Sequence, residues 1–451
     1  MLDVFRCFSK LINGYRVGFL VLSLPDKRLS VPEHVSMDEM RFGGLVTLLR
    51  VDINSPIDPL TGKIIDHTRI KSHIPTIKNL IDQGAKTVLL AHQGQRGSQD
   101  FISLRNHAEI LSSILGTEVK FVPEVYGKHV DEELIRLKDG EVLMLENTRF
   151  VDDETREVSY EEHSKSPFVR SLSSRASAYI NDAFAAAHRN HASLVGFPYI
   201  LPAFAGELME AELNALNRVV GGNLRPTVFL IGGGKVADSI RMILRILESN
   251  SADKVVVTGL VGNIFLLASG ARLGKKMSAY VAEKGLEDAL IAAHKILTEY
   301  SSKVVLPVDI AVERSGKRVE VDLQSVAEDD SVMDIGERTI SIVRDEISGF
   351  RTAFMRGPAG VVEKPGFEVG TSKLLQLLAD LKIYTVIGGG HTRIMAEKMG
   401  LVEKLGYAST GGGALLTFLS GEPLPALVAL SQAAQRTRLF VKKLDARVER
   451  P

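Results

Sequence analysis

Short apolar runs alternate with stretches of helical periodicity along most of the chain. The runs fall at 45–51, 87–91, 142–145 and 178–180 in the first half, and at 228–231, 255–258, 304–306 and 385–387 in the second. Between them, residues 74–83, 106–115, 240–247 and 287–300 place apolar side chains at helical spacing. Strand and helix taken in turn predict an α/β fold with doubly wound parallel sheets. Near the midpoint, residues 207–220 (ELMEAELNALNRVV) put Met209, Leu213, Leu216 and Val220 on one helical face, and the following GGNLRP breaks the helix. This reads as a long helix joining two domains. No tandem repeat or low-complexity tract interrupts the pattern.

Three strand-like runs of the second half end in glycine triplets: TVFLIGGGKVADS, YTVIGGGHT and YASTGGG. A strand that stops at glycine and opens a helix leaves bare backbone N–H groups at a helix N-terminus, an arrangement that attracts phosphate. The pattern predicts one nucleotide held from several sides. Lys235 follows Gly232–Gly234, but Val236 stands where a P-loop has Ser or Thr for magnesium. GGGKVA fits the loose dinucleotide pattern G-x-G-x-x-A, yet the run at 255–258 leads into Gly259 with no carboxylate for a ribose.

The runs of the first half are followed by polar and basic residues instead. Asp52 and Asn54 follow the first; His92, Gln93, Gln95 and Arg96 the second; Glu146, Asn147 and Arg149 the third; Asn181, Asp182, His188, Arg189 and His191 the fourth. Arg69 lies on the connection after the first run. Ligands of such sheets bind beyond the carboxyl ends of the strands, where arginine forks match phosphate or carboxylate oxygens. Plainer roles exist for each: Arg149 has Asp152 and Asp153 close in sequence, and Asp52 and Asn54 are turn formers.

Composition narrows the function classes. Across 451 residues, Lys+Arg and Asp+Glu both number 55, so no global basic field points to nucleic acid, and an anion site must be local. The single cysteine, Cys7, excludes a disulfide framework and a cysteine metal cluster and fits a reducing cytoplasm. No apolar run is long enough for a membrane helix. Residues 17–24 (VGFLVLSL) follow Arg6, Lys10 and Arg16, but PDKR rather than a small-residue cleavage site comes next.

In order along the chain, RVDINSPID, HTRI, AHQG, LENTRF, NDAFAAAHRNHAS, GGGKVADS, LPVD, DIG, RGPAGVVE, IGGGHT and STGGGA resemble the motifs of phosphoglycerate kinase, most closely its archaeal branch. The resemblance runs from about Met40 to Leu427. It implies two domains joined by the helix, with a C-terminal segment packing back on the first. Expected boundaries are a triose-phosphate domain at 37–206, the helix at 207–221, a nucleotide domain at 222–420 and the returning segment at 421–451. Residues 1–36 fall outside and are expected to be an extension without a part in the fold, or untranslated.

The implied reaction is reversible phosphoryl transfer from 1,3-bisphosphoglycerate to Mg-ADP, giving 3-phosphoglycerate and ATP. The resemblance assigns Asp52, Asn54, Arg69, His92, Gln95, Arg96, Arg149, His188, Arg189 and His191 to phosphoglycerate. It assigns Gly233, Gly234, Lys235, Gly262, Pro358, Glu363, Gly388, Gly389, Gly390, His391, Thr392, Gly411, Gly412 and Gly413 to the nucleotide, with Arg69 and Lys235 catalytic. Mg2+ accompanies the nucleotide; its protein ligands are not assigned. The implied partners are these small molecules alone, for a monomer or homodimer with neither nucleic-acid nor membrane partners. Four positions depart from the common motif: Ser239 replaces a lysine, His391 an aspartate, Arg356 an asparagine and Gln95 an arginine. Arg356 and Arg96 are expected to supply the missing charges.

Overall fold

The computed structural model describes residues 29–222 and 224–448. Six strands build a first sheet: β1 (Val46–Arg50), β2 (Lys86–Leu90), β3 (Val119–Val122), β4 (Val142–Leu145), β5 (Ala178–Asn181) and β6 (Ala203–Ala205). They run parallel in the order β3-β4-β2-β1-β5-β6. A second parallel sheet contains β7 (Thr227–Ile231), β8 (Lys254–Val257), β9 (Val304–Val305), β13 (Thr352–Arg356), β14 (Tyr384–Gly388) and β15 (Gly406–Ala408). Its order is β15-β14-β13-β7-β8-β9. Between β9 and β13 the chain inserts an antiparallel ribbon, β10 (Asp309–Arg314), β11 (Lys317–Asp322) and β12 (Ser331–Ile335).

Helices cover both faces of each parallel sheet, which is why the central strands are buried throughout and read as continuous apolar runs. In each sheet the winding reverses at its first strand, between β1 and β5 and between β7 and β13. Those two reversals open crevices beyond the strand ends, where ligands bind in such folds. Strands β3, β6 and β13, and the ribbon strands β10, β11 and β12, were not among the runs read from the sequence. β3 carries an exposed Lys120, β6 is three residues long, and β13 ends in Arg356.

The connecting helix spans Glu207–Val220, as its periodicity predicts, and buries Met209, Leu213, Leu216 and Val220. The last helix, Pro425–Val448, returns to the first sheet, where Thr437 Oγ1 accepts from the Ala203 amide at 2.9 Å. The boundary expected at residue 36 needs correction. Residues 1–28 lie outside the described part, but Leu29 and Val35 are buried, and the Val35 carbonyl accepts from the β6 Ala205 amide at 2.8 Å. Residues 29–36 therefore seal the edge strand β6, a paired edge being less exposed to stray pairing than an open one.

Candidate active site

At the first reversal, Asp52, Asn54 and Arg69 follow β1, His92 follows β2, and Ala185, Ala186, His188 and Arg189 follow β5. Together with Gly412 and Gly413 they line a cavity of about 210 Å3. Arg69 Nη1 donates to Asp52 Oδ2 at 2.6 Å. The Asp52 amide donates to His73 Nε2 at 3.0 Å, so His73 offers its Nδ1–H to Asp182 Oδ2 at 2.7 Å. The other Asp182 oxygen accepts from Leu208 and Met209, capping the connecting helix and tying the cavity to its start.

Not all assigned residues reach this cavity. Arg149 is buried and donates to the Gly94 carbonyl, while the Gly94 amide donates to Asn54 Oδ1 at 3.0 Å. It thus backs the wall at Asn54, and the plainer alternative for it, pairing with Asp152, is taken by Arg96, at 2.7 Å. Arg96 and Gln95 are exposed and lie outside the lining. The proposed substitution of Arg96 for Gln95 is therefore not made in this conformation. His191 sits behind, with Nδ1 at 3.7 Å from Glu154.

A support to which the sequence reading gave no role lies beneath. Arg50, fully buried at the end of β1, donates from Nε to Ser193 Oγ at 2.8 Å, from Nη1 to the Val51 carbonyl, and from Nη2 to His92 Nδ1 at 3.0 Å. Ser193 Oγ donates in turn to the buried Glu154 at 2.7 Å, which also accepts from Thr148. A charged residue at the end of an otherwise apolar strand was the one sequence signal for this network.

Burial pushes His92 and His188 below the ordinary histidine value, and Arg50 and Arg189 push His92 further. His191 falls to about 3, through burial first and then Arg189 and Arg50. The histidines therefore enter as neutral hydrogen-bonding groups near pH 7, and the cationic charge of the cavity is arginine. His107, bonded to Gln93, is likewise lowered by burial to about 4. Depressed folded values mean that the unfolded chain binds more protons as pH falls below about 6.5, so this stabilisation is present above that pH and lost toward pH 4. Glu154 and Glu212, raised by burial, act in the opposite direction. A difference measurement separates them. His107→Gln should gain on the parent by about 2 kcal/mol in urea stability between pH 7 and pH 5. Parallel pH curves for the two proteins would contradict this.

The glycine triplets form two distinct groups. The turn after β7 and the Arg356–Gly357–Pro358 turn after β13 interlock: Gly232 donates to the Arg356 carbonyl at 2.8 Å and Gly233 to that of Pro358 at 2.9 Å. Gly357 has φ +76° and a Cβ there would stand 2.2 Å from the Gly232 carbonyl, so no other residue fits. Lys235 is exposed at the head of helix Val236–Glu248, and Gly388–Gly390 lead into helix Gly390–Lys398 on the other side of β13. His391 Nε2 lies 3.2 Å from Glu363 Oε1, both largely exposed. Gly262 is buried against the β8 backbone and has a packing role.

The third triplet faces the arginine-lined cavity instead. Gly411 packs on Phe184, with a Cβ there only 2.5 Å from its ring, and Gly413 lies against His188. Ser409 and Thr410 donate three hydrogen bonds to Glu212, buried in the middle of the connecting helix. Helix Gly412–Leu419 thus presents its N-terminus to the arginine cavity, and the turn joins the two sheets through the connecting helix.

The phosphoglycerate kinase family model matches residues 37–422, which include both crevices and the helix between them. The chain belongs to the phosphoglycerate kinase family. It is 40% identical over 406 residues to phosphoglycerate kinase of Methanothermus fervidus, covering 90% of this chain and 99% of that one. With the enzyme of Methanothermobacter thermautotrophicus it shares 42% over 398 residues, 88% of this chain and 97% of the relative. The crystal structure of phosphoglycerate kinase from Pyrococcus horikoshii superposes with a TM-score of 0.81 at 39% identity, covering 89% of this chain and all of that one. That of Coxiella burnetii gives 0.77 at 29%, with the same coverage. As a phosphoglycerate kinase the chain is a phosphotransferase of glycolysis. No helix among the described residues is long and apolar enough to cross a membrane.

Proposed function

We propose that the arginine cavity binds the phosphoglycerate and that the interlocked glycine turns bind ADP or ATP, with transfer occurring when the two crevices approach. The observation that carries this reading is the placement of Arg69, Arg189 and the N-terminus of helix Gly412–Leu419 around one cavity. Three positive elements converging without a metal cluster suit a small polyanion and the charge that develops on a phosphoryl group in flight. In the direction of ATP use, a carboxylate oxygen of 3-phosphoglycerate attacks the terminal phosphorus. The bond from that phosphorus to the bridging oxygen breaks, and ADP leaves with the electron pair. No side chain need form a covalent bond; the chain contributes alignment and neutralisation.

Residues 37–206 and 222–420 act in this reading as two domains that close about the connecting helix. Asp182 at its head and Glu212 at its middle couple it to the two crevices, so a closing motion is felt at both. Among the described residues no group of three or more His, Cys, Asp or Glu is arranged to hold a metal. The nearest donors, Glu363 and His391, are one carboxylate and one imidazole, whereas Mg2+ favours six oxygens. Mg2+ therefore arrives as part of the Mg-nucleotide, held mainly by phosphate and water.

A coupled assay tests the function. With 3-phosphoglycerate, ATP and Mg2+, product bisphosphoglycerate is read as NADH oxidation by glyceraldehyde-phosphate dehydrogenase. Turnover that needs all three additions is expected. Its absence from a folded preparation that binds ADP would reduce the protein to a nucleotide binder.

A further inference from the structure

Arg356 is a buried cation that makes no salt bridge among the described residues. It ends β13 at the second reversal, 8% exposed, between the turn after β7 and the turn after β14. A Cβ on Gly389 would lie 3.8 Å from its Cγ, so its stem runs along the second of these turns. Among the described residues its guanidinium makes no salt bridge, and its Nε has no hydrogen-bond partner. Asp238 is the carboxylate whose charge is felt there, and that group is already bonded to Arg241 at 2.7 Å.

Two further buried atoms lack partners on the helices that open from these two turns: Ser239 Oγ, in the first turn of helix Val236–Glu248, and Thr392 Oγ1, in the first turn of helix Gly390–Lys398. Burying a cation beside two positive helix ends is unfavourable, and burying unpaired hydroxyls adds to the cost. One polyanion among them would relieve all of these costs together.

We propose that Arg356 is the interior cation of the nucleotide site, contacting the polyphosphate between the two glycine turns, with the Ser239 and Thr392 hydroxyls as flanking donors. The inference rests on the assignment of that crevice to ADP or ATP. Its chemistry is a charge-assisted contact to a phosphate oxygen in a site that excludes water. The contact stabilises the liganded state while its cation burdens the unliganded one.

Arg356→Met keeps the apolar stem and removes the charge. The variant's melting temperature without ligand should equal or exceed that of the parent, and the rise caused by ATP should shrink. In the coupled assay KM for ATP should rise about ten- to hundred-fold, the range of one charged hydrogen bond, with KM for 3-phosphoglycerate unchanged. Arg356→Lys should recover part of that loss.

Unchanged ATP affinity in Arg356→Met overturns the proposal, as does a variant that fails to fold, because the proposal makes the guanidinium a burden on the empty protein. Calorimetric titration of both proteins with ATP separates this from the functional assignment. If the parent binds ATP without turnover, the assignment of activity fails while the affinity ratio still decides the role of Arg356. If the parent binds no ATP, both fall.

Discussion

Arg69→Ala should lower kcat by roughly 100- to 1000-fold in the coupled assay, the range found when a preorganised donor to developing charge is removed. The guanidinium is 36% exposed, fixed by Asp52 Oδ2 at 2.6 Å, and lines the cavity together with Arg189 and His188. Because the partner carboxylate holds it in place beforehand, little reorganisation is needed when phosphoryl charge appears. Its partial exposure predicts a small effect on stability, since half-exposed ion pairs contribute about 0–1 kcal/mol. Arg69→Lys should recover only a fraction, because an ammonium cannot hold Asp52 and a phosphate oxygen with a planar fork. A variant with parental kcat and a raised KM for phosphoglycerate alone would limit Arg69 to ground-state binding.

Arg50→Met should destabilise the protein by about 3–5 kcal/mol, the cost of removing one partner from a buried charged network. Arg50 holds Ser193, the Val51 carbonyl and His92 simultaneously, and its charge offsets the burial of Glu154. Without it Glu154 is a buried carboxylate supported only by hydroxyls and an amide, and His92 loses the donor that orients it. The chain has no tryptophan, so circular dichroism is the suitable probe of urea unfolding. Adding Glu154→Gln should restore part of the loss, because it removes the uncompensated charge; residues in one network do not behave additively. Equal midpoints for the parent and Arg50→Met would show that the guanidinium is not what supports the cavity floor.

Much of this protein is legible in its residue pattern. Apolar runs with helical stretches between them are what parallel strands with helices on both faces require, so the α/β class and most strands follow from local order alone. The connecting helix could be placed to the residue, because Gly206 and Gly221 bracket a clear 3.6-residue periodicity. The edge strands β3 and β6 could not. β6 is three residues long and is a strand only because a neighbour pairs with it.

The site divides in the same way. Glycine after a strand and arginine after a strand are local signals, and they located both crevices. Which members of those motifs face a common space was decided only by the chain's return from a distance. The third glycine triplet reads like the other two, yet Phe184 and Glu212 draw it to the arginine cavity. Arg96 reads as a ligand but turns to Asp152, and residues 29–36 read as an appendage but pair with β6. The sequence by itself determined the elements and the types of chemistry at their ends, because these depend on periodicity and on residues a few positions apart. Partner choice among charged groups, the burial of Arg50 and Arg356, and the edge pairing were decided by tertiary structure, because burial and long-range contact set their energies.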